Sequence, residues 1–258
     1  MLVRSKFIAY DKALMIKSLK TEGIVLKGTN FGEADRILTI LTDRFGKIKV
    51  MAKGIRKIKS HMAGALEPFM LVDLQLYEGK TFYIVTGAAI KKAFHLLHGD
   101  FEKVGKAFYL GELVDRFIEE RQRIPEIFEL FEIGLGQIEE GTRSIVLRGF
   151  ELKIVEQAGF KPEIYNCVHC KKKIEPGKNY WDSVEGGIIC GDCQQLHHHG
   201  EKMSDEVIKL LHFFEASDLD TISRLKLAPE AESEVEKILS KYIDSILERE
   251  LKSKIFLN

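Results

Sequence analysis

Residues 69–90 read FMLVDLQLYEGKTFYIVTGAAI, and the period of this stretch decides what the first third of the chain can fold into. Met70, Val72, Leu74 and Leu76 alternate with Asp73, Gln75 and Tyr77, which is the two-residue repeat of a half-buried strand. Glu78-Gly79-Lys80 makes a short hairpin connection whose glycine can supply φ > 0, and a second β-rich run starts at Thr81. On the N-terminal side, EGIVLK (22–27), RILTILT (36–42) and KIKVMAK (47–53) are three more β-rich runs, separated by Gly-Thr-Asn and Asp-Arg-Phe-Gly and followed by a basic loop. Five short strands, with the longest link between the third and fourth, match a small closed barrel of the OB type; an SH3-like barrel has a similar strand count.

After His95 the period becomes helical. Phe101, Val104, Phe108, Gly111, Val114 and Ile118 recur at three- and four-residue steps, as do Ile127, Phe128, Phe131, Leu135 and Ile138 behind Pro125, a residue suited to a first helical turn. A third helix from about Arg143 runs to Gly159, which fits a left-handed C-cap. Ser204 caps a helix through Phe214, and Val235, Ile238, Leu239, Tyr242, Ile243 and Ile246 stripe a long last helix. Such stripes are read as core. The expected fold is α+β in two domains: an OB-fold barrel over 1–95, with 1–15 as an extension, and a helical domain over 96–258 that carries an insert at 163–200.

The chain has a formal net charge of +0, but the two halves differ sharply. Up to His95 there are 17 Lys and Arg against 8 Asp and Glu, a net of +9; beyond it there are 22 against 31, a net of −9. A basic module facing a polyanion, joined to an acidic one facing something else, is the reading this favours over idle solvated charge. No run approaches the roughly 18 apolar residues of a membrane span, so no membrane partner is expected and the chain reads as cytosolic.

All four cysteines lie in YNCVHCKKKIEPGKNYWDSVEGGIICGDC (165–193) as C-x2-C-x19-C-x2-C. Cys167, Cys170, Cys190 and Cys193 have the spacing of a zinc site, with Pro176-Gly177 and Gly186-Gly187 as turns that bring the second pair back to the first. Four thiolates fill a tetrahedron and leave no open position, which makes one Zn2+ a structural cofactor rather than a catalytic one. The deaminase pattern is absent, because its second half is a C-x-x-C preceded by proline, and here Asn166 and Ile189 precede the two pairs. A redox use of the C-x-x-C pairs is the alternative, and an empty site the remainder. Tyr180 and Trp181 are expected to pack over this clasp, and the triple histidine at 197–199 reads as a solvated run.

Residues 46–60, GKIKVMAKGIRKIKS, carry Lys47, Lys49, Lys53, Arg56, Lys57 and Lys59 with no acid among them. On a strand, Lys47 and Lys49 share one face while Ile48 and Val50 turn inward, giving the barrel a positive wall of the kind that tracks a phosphate backbone. Phe31, Phe45, Tyr77 and Tyr83 are candidate stacking platforms, each equally a candidate for the core.

These residues carry a family resemblance. Gly23–Leu26, Gly32–Asp35, Leu41-Thr42, Gly46-Lys47, Ala52–Arg56 and Leu66–Phe69 resemble, in order, the motifs of the N-terminal OB domain of the bacterial RecO family of recombination mediators. The resemblance continues through a helical half with a four-cysteine insert and covers nearly the whole chain from about Ile16; the stretch before Met15 is not part of the family pattern. It implies a non-enzymatic, cytoplasmic and nucleoid-associated DNA-repair protein. Such a protein binds single- and double-stranded DNA, anneals complementary strands, pairs with RecR, and helps load RecA onto DNA coated by single-strand-binding protein. Carried over by matching position, Lys53, Arg56 and Lys57 lie in the DNA-contacting stretch, and Arg36 follows the Glu-x-Asp turn.

Two rivals come from other classes. A hydrolase or transferase with a structural zinc would need a catalytic motif. G-x-x-x-x-G-K-[ST], H-E-x-x-H, G-x-S-x-G and a strand-linked G-x-G-x-x-G are all missing, and GQIEEGT at 136–142 lacks the lysine of a phosphate loop. A zinc-containing interaction scaffold without direct DNA binding would act through the acidic half.

Overall fold

The computed structural model describes residues 18–94, 100–141, 143–197 and 200–257. The N-terminal extension, the junction at residues 95 and 96, and the end of the triple-histidine run lie outside the described residues.

Five strands close a barrel in the order β1-β2-β3-β5-β4: β1 (Ser18–Phe31), β2 (Asp35–Thr42), β3 (Gly46–Ala52), β4 (Met70–Glu78) and β5 (Tyr83–Ala93). All neighbours are antiparallel except β3 and β5, which meet in parallel at Val50–Tyr83 and Met51–Ile84. A parallel closure cannot come from a simple meander; it is the Greek-key crossing of an OB fold. β1 serves two neighbours by bending at a register shift between Val25 and Lys27. Gly79 does not use a positive φ; a Cβ there would stand 2.4 Å from the Phe82 carbonyl oxygen, so the hairpin needs glycine for close approach instead.

Alternation divides the barrel's apolar side chains between two cores. Val25, Leu38, Ile40, Ile48, Val50, Val72, Leu74 and Leu76 fill the barrel interior. Ile24, Leu26, Leu41, Phe69 and Leu71 turn outward and join the core of the helices, so the barrel is docked along one wall.

That wall meets α1 (Phe101–Phe117), which Asp100 caps by accepting the N–H groups of Glu102 and Lys103. α2 (Pro125–Glu139) starts on its proline, and α3 (Ile145–Gln157) runs out into Gly159 at φ +93°. The apolar stripe expected on α1 is only partly buried: Phe101 is 91% exposed and Phe108 37%, whereas Ala107, Leu110, Leu113 and Phe117 are buried. The reason is that α1 is covered on two sides, by the barrel and by α2 and α3, so a single stripe does not describe it. Gly111 permits the first contact, since a Cβ there would lie 2.9 Å from the Phe69 ring.

The insert forms a three-stranded sheet, β7-β6-β8, from β6 (Asn179–Asp182), β7 (Gly187–Cys190) and β8 (Glu201–Met203), with the short α4 (Gly191–His197) after β7. Ser204 caps α5 (Asp205–Ala216) through the N–H of Val207; α6 (Leu219–Ser223) and α7 (Pro229–Leu247) complete the bundle. At its centre the buried Arg148 pairs with buried Glu151 at 3.0 Å, and Tyr109 donates its hydroxyl to the same carboxylate at 2.5 Å. Among the described residues, no helix is long and apolar enough to cross a membrane.

Candidate nucleic-acid interface and metal centre

The link after β3 leaves the barrel at the same tip as the β1–β2 turn, and backbone chemistry ties the two. Gly54 adopts φ +65°, and its N–H donates to Asp35 Oδ1 at 2.7 Å. The N–H of Arg56 donates to the Ala34 carbonyl at 3.0 Å, and its guanidinium donates to the Glu33 carbonyl at 3.0 Å. Ile55 is buried in the barrel core and anchors the loop from below. The side chains of Lys53, Lys57 and Lys59 are exposed and carry no bond or ion pair among the described residues. Arg36, at the start of β2, instead donates to Asn30 Oδ1 and pairs with Glu67, both at 3.2 Å.

Lys47 and Lys49 do share the outward face of β3, with Ile48 and Val50 turned inward. They point at the helical half. Lys47 is 13% exposed, donates to the Asp115 backbone carbonyl, and lies 3.3 Å from Asp115 Oδ1; Lys27 reaches the other carboxylate oxygen at 2.5 Å. Lys49 pairs with Glu120 at 3.1 Å. Burial pushes the Lys47 ammonium below its usual range, only partly offset by Asp115. Burial works the other way on Asp115, but bonds from Lys27 and Lys47 outweigh it and hold the carboxyl below its usual range. Backbone contact seals the junction: the N–H of Arg121 donates to the Lys47 carbonyl at 2.7 Å, and a Cβ on Gly46 would fall 2.0 Å from the Gln122 oxygen. Nothing local in the sequence marks Lys27, Asp115 or Glu120 as partners, because the contacts join segments far apart in the chain.

The four aromatic candidates separate. Phe45 and Tyr83 stack on each other with ring centroids 6.1 Å apart and are flanked by the guanidinium groups of Arg44 and Arg121. Tyr77 is half-buried, while Phe31 is 49% exposed.

The cysteine segment folds back so that the four Sγ atoms lie within 4.8 Å of one another. Cys170 and Cys190 are 3.8 Å apart, far beyond a disulfide, and a tetrahedral site with Zn–S of about 2.3 Å requires sulfurs roughly 3.8 Å apart. Burial opposes the Cys167 thiolate, yet N–H groups of Cys190, Cys170 and His169 outweigh it and bring the thiol down to about 6. Burial and the neighbouring sulfurs push Cys193 up to about 12. A cluster with one thiolate already favoured and three more donors in reach can hold a metal ion, and the all-sulfur set suits a soft or borderline one. Strand alternation splits the two aromatic neighbours: Tyr180 packs on the thiol cluster, but Trp181 turns into the helical core, edge-on to Tyr242 at 5.5 Å. The expectation that both cover the clasp therefore holds for Tyr180 alone.

The fold and these two centres define a class: an OB barrel docked on a helical bundle that carries a four-cysteine metal clasp. Residues 15–94 match the family described as "Recombination protein O N terminal", and residues 98–255 the one described as "Recombination protein O C terminal". The chain is 34% identical over 240 residues to the DNA repair protein RecO of Roseiflexus sp. (strain RS-1), spanning 93% of this chain and 84% of that one. It is 35% identical to the DNA repair protein RecO of Alkaliphilus metalliredigens (90% and 94% of the two chains) and of a Dehalococcoides mccartyi strain (93% and 94%). The chain belongs to the RecO family of DNA repair proteins.

Proposed function

We propose that this protein is a non-catalytic mediator that binds single- and double-stranded DNA through the barrel's cation-rich tip and promotes annealing of complementary strands. The observation that carries the reading is the loop of residues 53–59, which presents four cations to solvent from a backbone tied to the neighbouring turn. Lys47 and Lys49 are answered by Asp115 and Glu120, but the four cations of residues 53–59 have no acid paired with them among the described residues and repel one another unless a polyanion neutralises them. Annealing needs no catalytic group: neutralising two phosphate backbones lowers their repulsion, and base pairing supplies the driving force. Backbone contacts position without specifying, so little sequence preference is expected.

Lys53, Arg56, Lys57 and Lys59 supply the main phosphate contacts on this reading. Arg36 and Lys49 contribute by exchanging their present partners, and Lys47 acts mainly at the junction with α1. Zn2+ is the metal proposed for Cys167, Cys170, Cys190 and Cys193, holding the insert together and leaving no position for substrate. The resemblance extends the proposal to action with RecR in loading RecA onto DNA coated by single-strand-binding protein, in the cytoplasm at the nucleoid. The domain division at residue 95 is kept as part of the same proposal.

The test is a fluorescence-anisotropy titration of labelled single strands of two unrelated sequences, across a salt series, followed by an annealing assay. Salt-dependent binding indifferent to sequence supports the reading. Failure to bind at low salt overturns it in favour of an interaction scaffold working through the acidic half.

A further inference from the structure

An exposed phenylalanine is ordinary on a protein surface, so exposure alone argues nothing. Phe31 differs in where it stands. It closes β1 directly opposite Asp35, the residue that accepts the Gly54 N–H, and the next two residues of its turn, Gly32 and Glu33, offer their carbonyls to the Arg56 guanidinium at 3.4 and 3.0 Å. The ring is therefore fixed to the same tip as the cations. Among the described residues it packs into neither the barrel core nor the helical one.

Register extends the surface away from the ring. Thr29 faces Ile37, Ile37 faces Met51 and Thr39 faces Lys49, all on the outward wall of β1, β2 and β3. Ile37 and Met51 are half-buried, and Lys49 is exposed. An aromatic ring and an apolar strip thus run along one wall from the cation-bearing tip to Lys49, which is paired with Glu120 at the edge of the helical half. The other aromatic pair, Phe45 with Tyr83, is occupied by its own stacking.

We infer that Phe31 stacks on an unpaired base of a single strand whose phosphates are held by the loop of residues 53–59, and that this ring makes the tip prefer single strands to duplex. The inference rests on the DNA-binding reading above. Its physical basis is that phosphates are offered by both forms of nucleic acid, whereas base faces are free only in a single strand; stacking on an aromatic ring is also tolerant of sequence.

The experiment measures full-length wild type, Phe31→Ala and Phe31→Tyr against a labelled single strand and the fully paired duplex of the same length, by anisotropy at several salt concentrations. The expected result is a loss of roughly fivefold or more for Phe31→Ala on the single strand, duplex binding unchanged, the salt slope unchanged on both, and recovery with tyrosine. Phe31→Trp adds a second reporter, with emission above the Trp181 background quenched by single strand and not by duplex. Equal affinity of wild type and Phe31→Ala for the single strand, or an equal loss on both ligands, overturns the stacking role. Absence of DNA binding by wild type overturns the underlying reading and the inference with it.

Discussion

Asp35 Oδ1 accepts the backbone N–H of Gly54 at 2.7 Å, which joins the turn after β1 to the basic loop after β3. Those two segments carry the Glu-x-Asp and Ala-Lys-Gly-x-Arg motifs, so the bond gives their co-occurrence a physical cause: one stretch holds the other in shape. Asp35→Ala is predicted to leave the barrel folded and release the loop. Limited trypsin digestion should cut faster at Lys53, Arg56 and Lys57, and DNA affinity should fall a few-fold through lost preorganisation, on the order of 1 kcal/mol, with the salt slope unchanged. Gly54→Ala should cost about 1 kcal/mol from its positive φ.

Lys27 and Lys47 both bond Asp115, and all but Lys27 are mostly buried. Asp115→Asn should lower stability by about 1–3 kcal/mol, read from urea unfolding. The pH dependence has a definite sign. Because the folded carboxyl lies below its unfolded value, its contribution is complete above about pH 4 and is lost as pH falls through the folded value. The stability gap between wild type and variant should therefore narrow in acid.

Arg148 is buried beside Glu151, whose carboxyl is pushed up by burial despite Arg148 and the Tyr109 hydroxyl. Arg148→Met leaves that acid without its counter-charge and should cost roughly 3–5 kcal/mol. The defect should be larger at about pH 8 than at about pH 4, because it opens only as wild-type Glu151 ionises against Arg148, above its ordinary range, while the acid of the variant is forced to keep its proton. Adding Glu151→Leu should recover most of the loss, as measured by thermal unfolding at the two pH values.

Removing the metal should melt the insert first. Trp181 is the only tryptophan and is 2% exposed, at the seam between the insert sheet and the helical core. A chelator should shift its emission to the red, while amides of β2 and β3, whose interior side chains form a separate cluster, keep their protection from hydrogen exchange. Simultaneous loss of β2 and β3 protection would count against independent melting.

The strands were legible because period-two runs such as 70–76 have one inward answer, and the cysteine clasp because its spacing is a local signal. α1 was read less well, since its burial on two sides hides any single stripe and leaves Phe101 in solvent. The role of Lys47 was invisible for another reason: its charge looks like that of Lys53, and only the approach of Asp115 from 68 residues away distinguishes them. Gly46 is similar, its necessity set by the Gln122 backbone across the junction.

The most direct test of the central claim compares wild type with the Lys53→Glu/Arg56→Glu variant by plotting log K for a single-stranded oligonucleotide against log salt. Neutralisation of about five phosphates predicts a wild-type slope of roughly −3 to −4, and a slope flatter by at least about 1.4 for the folded double variant, from about 0.7 per contact. An unchanged slope in a variant that still unfolds cooperatively at the wild-type temperature would contradict the assignment of the basic tip as the DNA-binding site.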